Sequence, residues 1–218
     1  MIAAAVLFVL PPAAALRLHH AKVVARQAES LCVKGYAALD ASRTAEAEDL
    51  FQGAVDRSPA FLQAWTGLGD ARYKSSGWEP AERAYREAVR IDPSNLGAIL
   101  GVGNCQLRLG AVEAAVASYR NAVAAHPESW EAHHNLATAL VGATKLEEAV
   151  PEFVTAIGMN PGLSSMRIDL AQTLRKLGRP CESIPHLEAY LSLEPGSARA
   201  GVVREIVEEL RTACGGPG

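Results

Sequence analysis

Apolar and small residues return along this chain at two nested periods: the three-to-four-residue step of a helix, and a longer step of 34 residues. Pro59, Pro93, Pro127, Pro161 and Pro195 mark the longer step. Five positions before the first four prolines stand Ala54, Ala88, Ala122 and Ala156, preceded by Phe51, Tyr85, Tyr119 and Phe153 and by Ala47, Ala81, Ala115 and Ala149. Small residues at Gly35, Gly69, Gly103, Ala137 and Ala171 keep the same step near the front of each unit. The pattern predicts five units, 28–61, 62–95, 96–129, 130–163 and 164–197, each of two short helices. Neither helix of a pair can bury its apolar stripe alone, so neighbours must stack.

Small residues let backbones approach, and the large rings fill the space between helices. Each proline ends a second helix, because it lacks an N–H and disfavours helix in its predecessor. Gly110, Gly178 and the Ser76-Gly77 pair punctuate the turns inside units. Pro151 and Pro185 lie past the freely tolerated first turn, so they are expected to shorten their helices at the start. Beyond Pro195, residues 198–213 read as one more helix with a stripe of Val202, Val203, Ile206 and Leu210. A helix with one apolar side and one wet side is what the end of an array needs as a cap.

The second unit, FLQAWTGLGDARYKSSGWEPAERAYREAVRIDPSN, carries Trp65, Leu68, Gly69, Ala81, Tyr85, Ala88 and Pro93 together. In these positions the chain resembles the tetratricopeptide repeat family, over about residues 28–197. His133 stands where the family often has tryptophan, and the fifth unit departs furthest, with Ser183, Leu187 and Tyr190 at the Ala, ring and Ala places. The resemblance implies an all-α fold: a right-handed superhelical solenoid of about five helix-turn-helix units closed by a C-terminal capping helix. It also implies binding of a protein or peptide partner in a concave groove lined by the first helices.

The amino terminus has a different character. Residues 1–16 carry no charge and are followed by Arg17, Lys22 and Arg26 before the first acid, Glu29. Residues 1–27 therefore read as an apolar leader with a basic segment, 28–197 as the repeats and 198–218 as the cap and tail. Three readings of the leader stand: a membrane anchor, a cleaved secretory signal leading to a periplasmic or secreted protein, and a buried leader on a cytoplasmic chain. The anchor is favoured, because the basic residues follow the apolar run and the positive-inside rule would hold the remainder at the cytosolic side. The expected localisation is thus membrane-associated.

Composition removes several functions. A net charge of −3 and a pI near 6.1 lack the electrostatic footprint of a nucleic-acid binder. Cys32, Cys105, Cys181 and Cys214 are far apart without a CxxC pair, and are expected to form neither a disulfide framework nor a zinc site. GxSxG, the Walker loop, HExxH and the EF-hand loop are absent. Gly67-Leu68-Gly69 and Gly101-Val102-Gly103 fall where packing demands small residues. His133-His134 point about 100° apart on a helix and share an ion poorly. No catalytic residue, metal site or cofactor is expected, and the chain reads as a non-catalytic interaction module.

Helical spacing places Tyr36, Asp70, Tyr73, Asn104, Arg108, His134, Asn135, Thr138, Asp169, Gln172, Arg175 and Lys176 on the groove. Asn104 and Asn135 match places where the family often carries asparagine, whose amide both donates to and accepts from a peptide backbone. The family's carboxylate clamp, set on units three to five, recovers these two asparagines. It meets Leu100 and Ser165 in place of lysines, and Asp169 in place of arginine, an acid that repels the terminal carboxylate. Glu29, Asp40 and Asp70 make the early groove acidic, whereas Arg175 and Lys176 stand at its end, so a peptide would run with its basic part toward the amino-terminal units. The functions left are a scaffold or adaptor at a membrane, or a permanent structural subunit of a larger membrane-associated complex.

Overall fold

The structure, a computed structural model, describes residues 12–215, with side chains from His20 onward. Among these residues there are eleven helices and no strand. The chain divides between Asp92 and Pro93 into two compact units. The first contains α1 (Pro12–Asp40), α2 (Thr44–Arg57), α3 (Leu62–Lys74) and α4 (Trp78–Ile91). The second contains α5 (Leu96–Arg108), α6 (Val112–Ala125), α7 (Trp130–Gly142), α8 (Leu146–Met159), α9 (Ser164–Lys176), α10 (Pro180–Leu193) and α11 (Ala200–Ala213).

Both units are built by one rule. A first helix packs on its own second helix, and that second helix packs on the next first helix. First helices also touch directly, as α1 with α3, α5 with α7 and α7 with α9. The residues that set the 34-residue step are the ones buried: Phe51, Tyr119 and Phe153 are almost wholly covered, and every alanine of the two series is fully covered. In the fifth repeat Ser183, Leu187 and Tyr190 are buried in the corresponding places, with the Ser183 hydroxyl satisfied by the Pro180 carbonyl at 2.6 Å. Each buried ring withdraws apolar surface worth roughly 1.5–3 kcal/mol from water.

The ends of the helices repeat as faithfully as the core. Before each marker proline the residues Ser58, Asp92, His126, Asn160 and Glu194 leave the helix with φ between −140° and −129°. That is where a following proline forces its predecessor. Inside each repeat, the first helix closes with one residue in the left-handed region: Ser42, Ser76, Gly110, Thr144 and Gly178. The Arg43 N–H bonds to the Ala38 carbonyl and the Ser42 N–H to the Leu39 carbonyl, and the other four turns make the same two bonds. This is a Schellman closure, and the sequence had shown it only at its glycine-bearing members.

Four expectations are corrected. Pro151 and Pro185 do not shorten their helices; α8 and α10 have 14 residues, as have α2, α4 and α6. Both prolines are exposed, so the carbonyl each leaves unbonded one turn back can be met by water. In α11 the buried positions are Ala200, Val203 and Val207, with Ile206 and Leu210 partly covered, and Val202 lies outside the stripe at 59% exposure.

The third correction concerns the cysteines. Cys181 and Cys214 form a disulfide across 33 residues, with Cα atoms 5.8 Å apart. Separation along the chain had argued against pairing, but in a repeat residues about one period apart become neighbours. Cys181 sits in the first turn of α10 and Cys214 just past α11, which runs back along it. Cys32 and Cys105 are buried and outside any disulfide, and burial pushes the Cys32 thiol up to about 11.

The fourth concerns localisation. No helix among the described residues is long and apolar enough to cross a membrane. From Pro12 onward the leader belongs to α1, a 29-residue helix whose apolar start runs straight into Arg17, Lys22, Arg26 and Glu29. The membrane-associated localisation expected from the leader is therefore overturned, and residues 1–11 lie outside the described residues.

Candidate functional site

In the second unit, α7 and α9 lie side by side with Phe153 of α8 behind them. A cleft of about 190 Å³ opens between them, lined by His134, Thr138, Val141, Phe153, Asp169, Gln172, Thr173 and Lys176. The helical step explains the lining. His134, Thr138 and Val141 follow one another on one face of α7, and Asp169, Gln172, Thr173 and Lys176 do so on α9. Five residues expected on the groove, His134, Thr138, Asp169, Gln172 and Lys176, thus converge on one cavity.

Its polar groups are partly held and partly open. His134 Nε2 lies 3.1 Å from Asp169 Oδ2, and its ring leans on Phe153 with centroids 5.8 Å apart. The hydroxyls of Thr138 and Thr173 donate back to the carbonyls of His134 and Asp169, at 2.9 and 2.8 Å. Gln172 and Lys176 make no hydrogen bond or ion pair among the described residues. The cleft therefore offers a free ammonium, a free amide and a half-exposed imidazole–carboxylate pair above an aromatic floor. Such a set can donate to and accept from polar groups beside a small apolar surface, and it holds no nucleophile paired with a base.

The other expected residues lie elsewhere. Asn135 is half-buried, and its amide has no side-chain partner among the described residues. Asn104 Oδ1 already accepts the Tyr119 hydroxyl proton at 2.7 Å, which commits one of the two lone pairs of its amide oxygen to the packing. Arg108 and Arg175 are exposed near the ends of α5 and α9. In the first unit, Asp70 accepts the Tyr85 hydroxyl proton at 2.6 Å. Tyr36 packs edge-on against Phe51 at 4.9 Å, with its hydroxyl donating to the Gln63 carbonyl at 3.3 Å, and Tyr73 packs edge-on against Trp78 at 4.9 Å. These three therefore stand in a separate set.

His133 takes the place of the family's tryptophan in bonding as well as in position. Trp65 Nε1 donates to the Pro59 carbonyl at 2.8 Å, and His133 Nε2 meets the Pro127 carbonyl at 3.1 Å. Its other nitrogen meets the Glu152 carboxylate. Two pairings and burial make it a structural residue. No group of three or more His, Cys, Asp or Glu able to hold a metal ion occurs among the described residues.

Val141, Phe153 and Thr173 escaped the sequence reading of the site. Val141 and Thr173 were visible as helix neighbours one turn from Thr138 and Asp169, and Phe153 as a core ring, but only the stacking of α7, α8 and α9 shows that they face the cavity.

A stack of paired helices with core rings at a constant period, Schellman turns and polar side chains on its first helices defines a protein-interaction scaffold of the helical-repeat class. The tetratricopeptide repeat profile matches residues 32–95, 66–129, 103–164 and 134–198, and the chain belongs to the tetratricopeptide repeat family. No curated protein matches it significantly. Among solved structures it is similar to YrrB, a tetratricopeptide-repeat protein with an unusual peptide-binding site, at 15% identity and a TM-score of 0.66, covering 80% of this chain and 90% of that one. MamA from Desulfovibrio magneticus RS-1 superposes at 16% identity and a TM-score of 0.72, covering 79% and 97%. The pilF protein of Pseudomonas aeruginosa does so at 16% identity and 0.72, covering 86% and 90%. At these identities the likeness is one of fold.

Proposed function

We propose that this chain is a non-catalytic scaffold that holds an extended segment of a protein partner in the cleft between α7 and α9. The convergence of His134, Thr138, Asp169, Gln172 and Lys176 on one cavity, with Gln172 and Lys176 uncommitted, carries the reading. An extended segment presents a carbonyl and an N–H at every residue, and a free amide and a free ammonium on one helix face suit that repeat. The likeness to YrrB, a tetratricopeptide-repeat protein with an unusual peptide-binding site, supports the choice of ligand.

The test compares the full chain with a Gln172→Ala/Lys176→Glu variant as baits in extracts of the native source. Both positions are exposed, so equal melting temperatures would show that the fold is kept. A partner retained by the parent and reduced at least tenfold by the variant is the expected result. A set of retained proteins identical for the two baits overturns the reading. A partner held at constant stoichiometry through purification would make the protein a permanent subunit of an assembly.

A further inference from the structure

One period beyond the cleft, the structure repeats the site with different chemistry. A cavity of about 390 Å³ lies between α9 and α11 over Leu187 of α10. Its wall positions follow those of the first cavity at the 34-residue step: His134 gives way to Ile168, Asp169 to Val203 and Gln172 to Ile206. α11 thus serves as the first helix of a sixth unit whose second helix is missing among the described residues, and it turns a polar site into an apolar one.

Three features make this a built site rather than an incidental gap. Val202 opens onto the cavity at 59% exposure, an apolar side chain that folding has left uncovered. Arg175 and Arg199 stand in the lining from opposite sides, neither forms an ion pair among the described residues, and no acid lines the cavity. The disulfide between Cys181 and Cys214 ties the far end of α11 to α10, which limits how far the wall carrying Val202 and Ile206 can swing before any ligand arrives. An apolar hollow of this size with a few charged groups at its edge is the usual form of a specific ligand pocket.

We infer that the cavity between α9 and α11 receives a large apolar side chain of a protein partner, from a segment in which that residue is flanked by Asp or Glu. The hollow takes the side chain, and the two guanidiniums take the flanking carboxylates in charge-assisted hydrogen bonds. Charge selects the occupant. A basic or neutral segment leaves both arginines uncompensated, whereas an acidic one supplies what they lack. This inference rests on the scaffold reading and adds partner chemistry to it: the apolar, acidic stretch lies one repeat beyond the part held between α7 and α9.

The probe is a fluorescein-labelled peptide, Gly-Asp-Glu-Leu-Glu-Asp-Gly, amidated at its end so that no terminal carboxylate contributes, titrated against the full chain by fluorescence anisotropy. Binding is expected to weaken at least tenfold when the leucine becomes glycine or the acids become amides. The same loss is expected for Arg199→Glu, while Lys176→Glu, at a residue that lines the first cleft and not this cavity, is expected to keep the binding. Arg199 is exposed, so an unchanged melting temperature would confirm that the variant folds. Absence of peptide binding, or binding indifferent to Arg199→Glu, overturns the inference. Arg199-dependent binding of dodecanoate with none of the peptide also overturns it, in favour of a lipid pocket. If the peptide fails while Lys176-dependent capture of a cellular partner persists, only this inference falls; if both fail, the scaffold reading falls too.

Discussion

Asp70 accepts the hydroxyl proton of Tyr85 at 2.6 Å, and one period later Asn104 accepts that of Tyr119 at 2.7 Å. The same ring-to-helix bond is thus made once with a charged acceptor and once with a neutral one. Both rings are buried, so each bond spares a phenolic group the cost of lying unpaired in the core. Residues that helical spacing assigns to a binding surface are here also parts of the packing.

The charged version carries a pH dependence. Burial pushes the Asp70 carboxyl up from its ordinary 3.8, against the opposing pull of the Tyr85 bond and of Lys74. A carboxyl raised in the folded state binds more protons folded than unfolded, so it lowers stability as pH rises from about 3.8 through the raised value. Asp70→Asn keeps the acceptor, as Asn104 shows, and removes the buried charge. The variant is expected to melt higher than the parent at pH 7 and to lose that decline, in thermal melts from pH 3 to pH 8. A lower melting temperature at pH 7 would contradict the account.

Thr144 is β-branched yet sits at φ +60°, where Gly110 and Gly178 occupy the equivalent turns. Left-handed backbone costs an L-residue roughly 1–2 kcal/mol, offset in part by the unfolded-state entropy of glycine. Thr144→Gly is expected to raise stability by about 0.5–1 kcal/mol in urea denaturation, and Gly178→Ala to lower it by a similar amount. A loss on Thr144→Gly would show that the turn draws more from the threonine side chain than from backbone freedom.

Gly103 admits the Tyr119 ring so closely that a Cβ there would lie 2.5 Å from it. Tyr119 is fully buried and cannot swing away without disturbing its bond to Asn104. Gly103→Ala is therefore expected to cost roughly 1–3 kcal/mol. The fifth repeat pairs Ala171 with Leu187, so Gly103→Ala/Tyr119→Leu is expected to recover part of the loss, measurable as a non-additive term in a double-mutant cycle.

The Cys181–Cys214 bridge ties the last helix to the last full repeat. A loop of this length is worth roughly 3–4 kcal/mol by unfolded-state entropy. Reduction, or Cys214→Ser, is expected to speed amide exchange in α11 far more than in α5 to α8, because stability in stacked repeats is chiefly a nearest-neighbour property. Uniform loss of protection across the second unit would mean that the bridge supports more than its own helix.

The repeating core was legible because periodicity survives every local substitution. His133 for tryptophan, Ser183 for alanine and Leu187 for a ring each keep the position while changing the residue. The turns were half legible: glycine announces a left-handed backbone, but Ser42, Ser76 and Thr144 adopt it because the Schellman bonds demand it whatever the side chain. Val202 misled because an apolar residue next to a stripe looks like part of it, and 100° of helical rotation decides otherwise. Cys181 and Cys214 were illegible as a pair because 33 residues of chain separate them and only the stacking of α11 on α10 brings them together.

By itself, the sequence determined the helix pairs, the period at which they stack and the residues that fill the space between them. Those depend on hydrophobic spacing and on proline and glycine chemistry, which are local and recur in every unit. Only the tertiary structure decided which faces open into cavities, which polar groups are already committed to one another, and that the final helix walls a second, more apolar cavity. Those depend on what lies across from a residue, and the residue across comes from another helix.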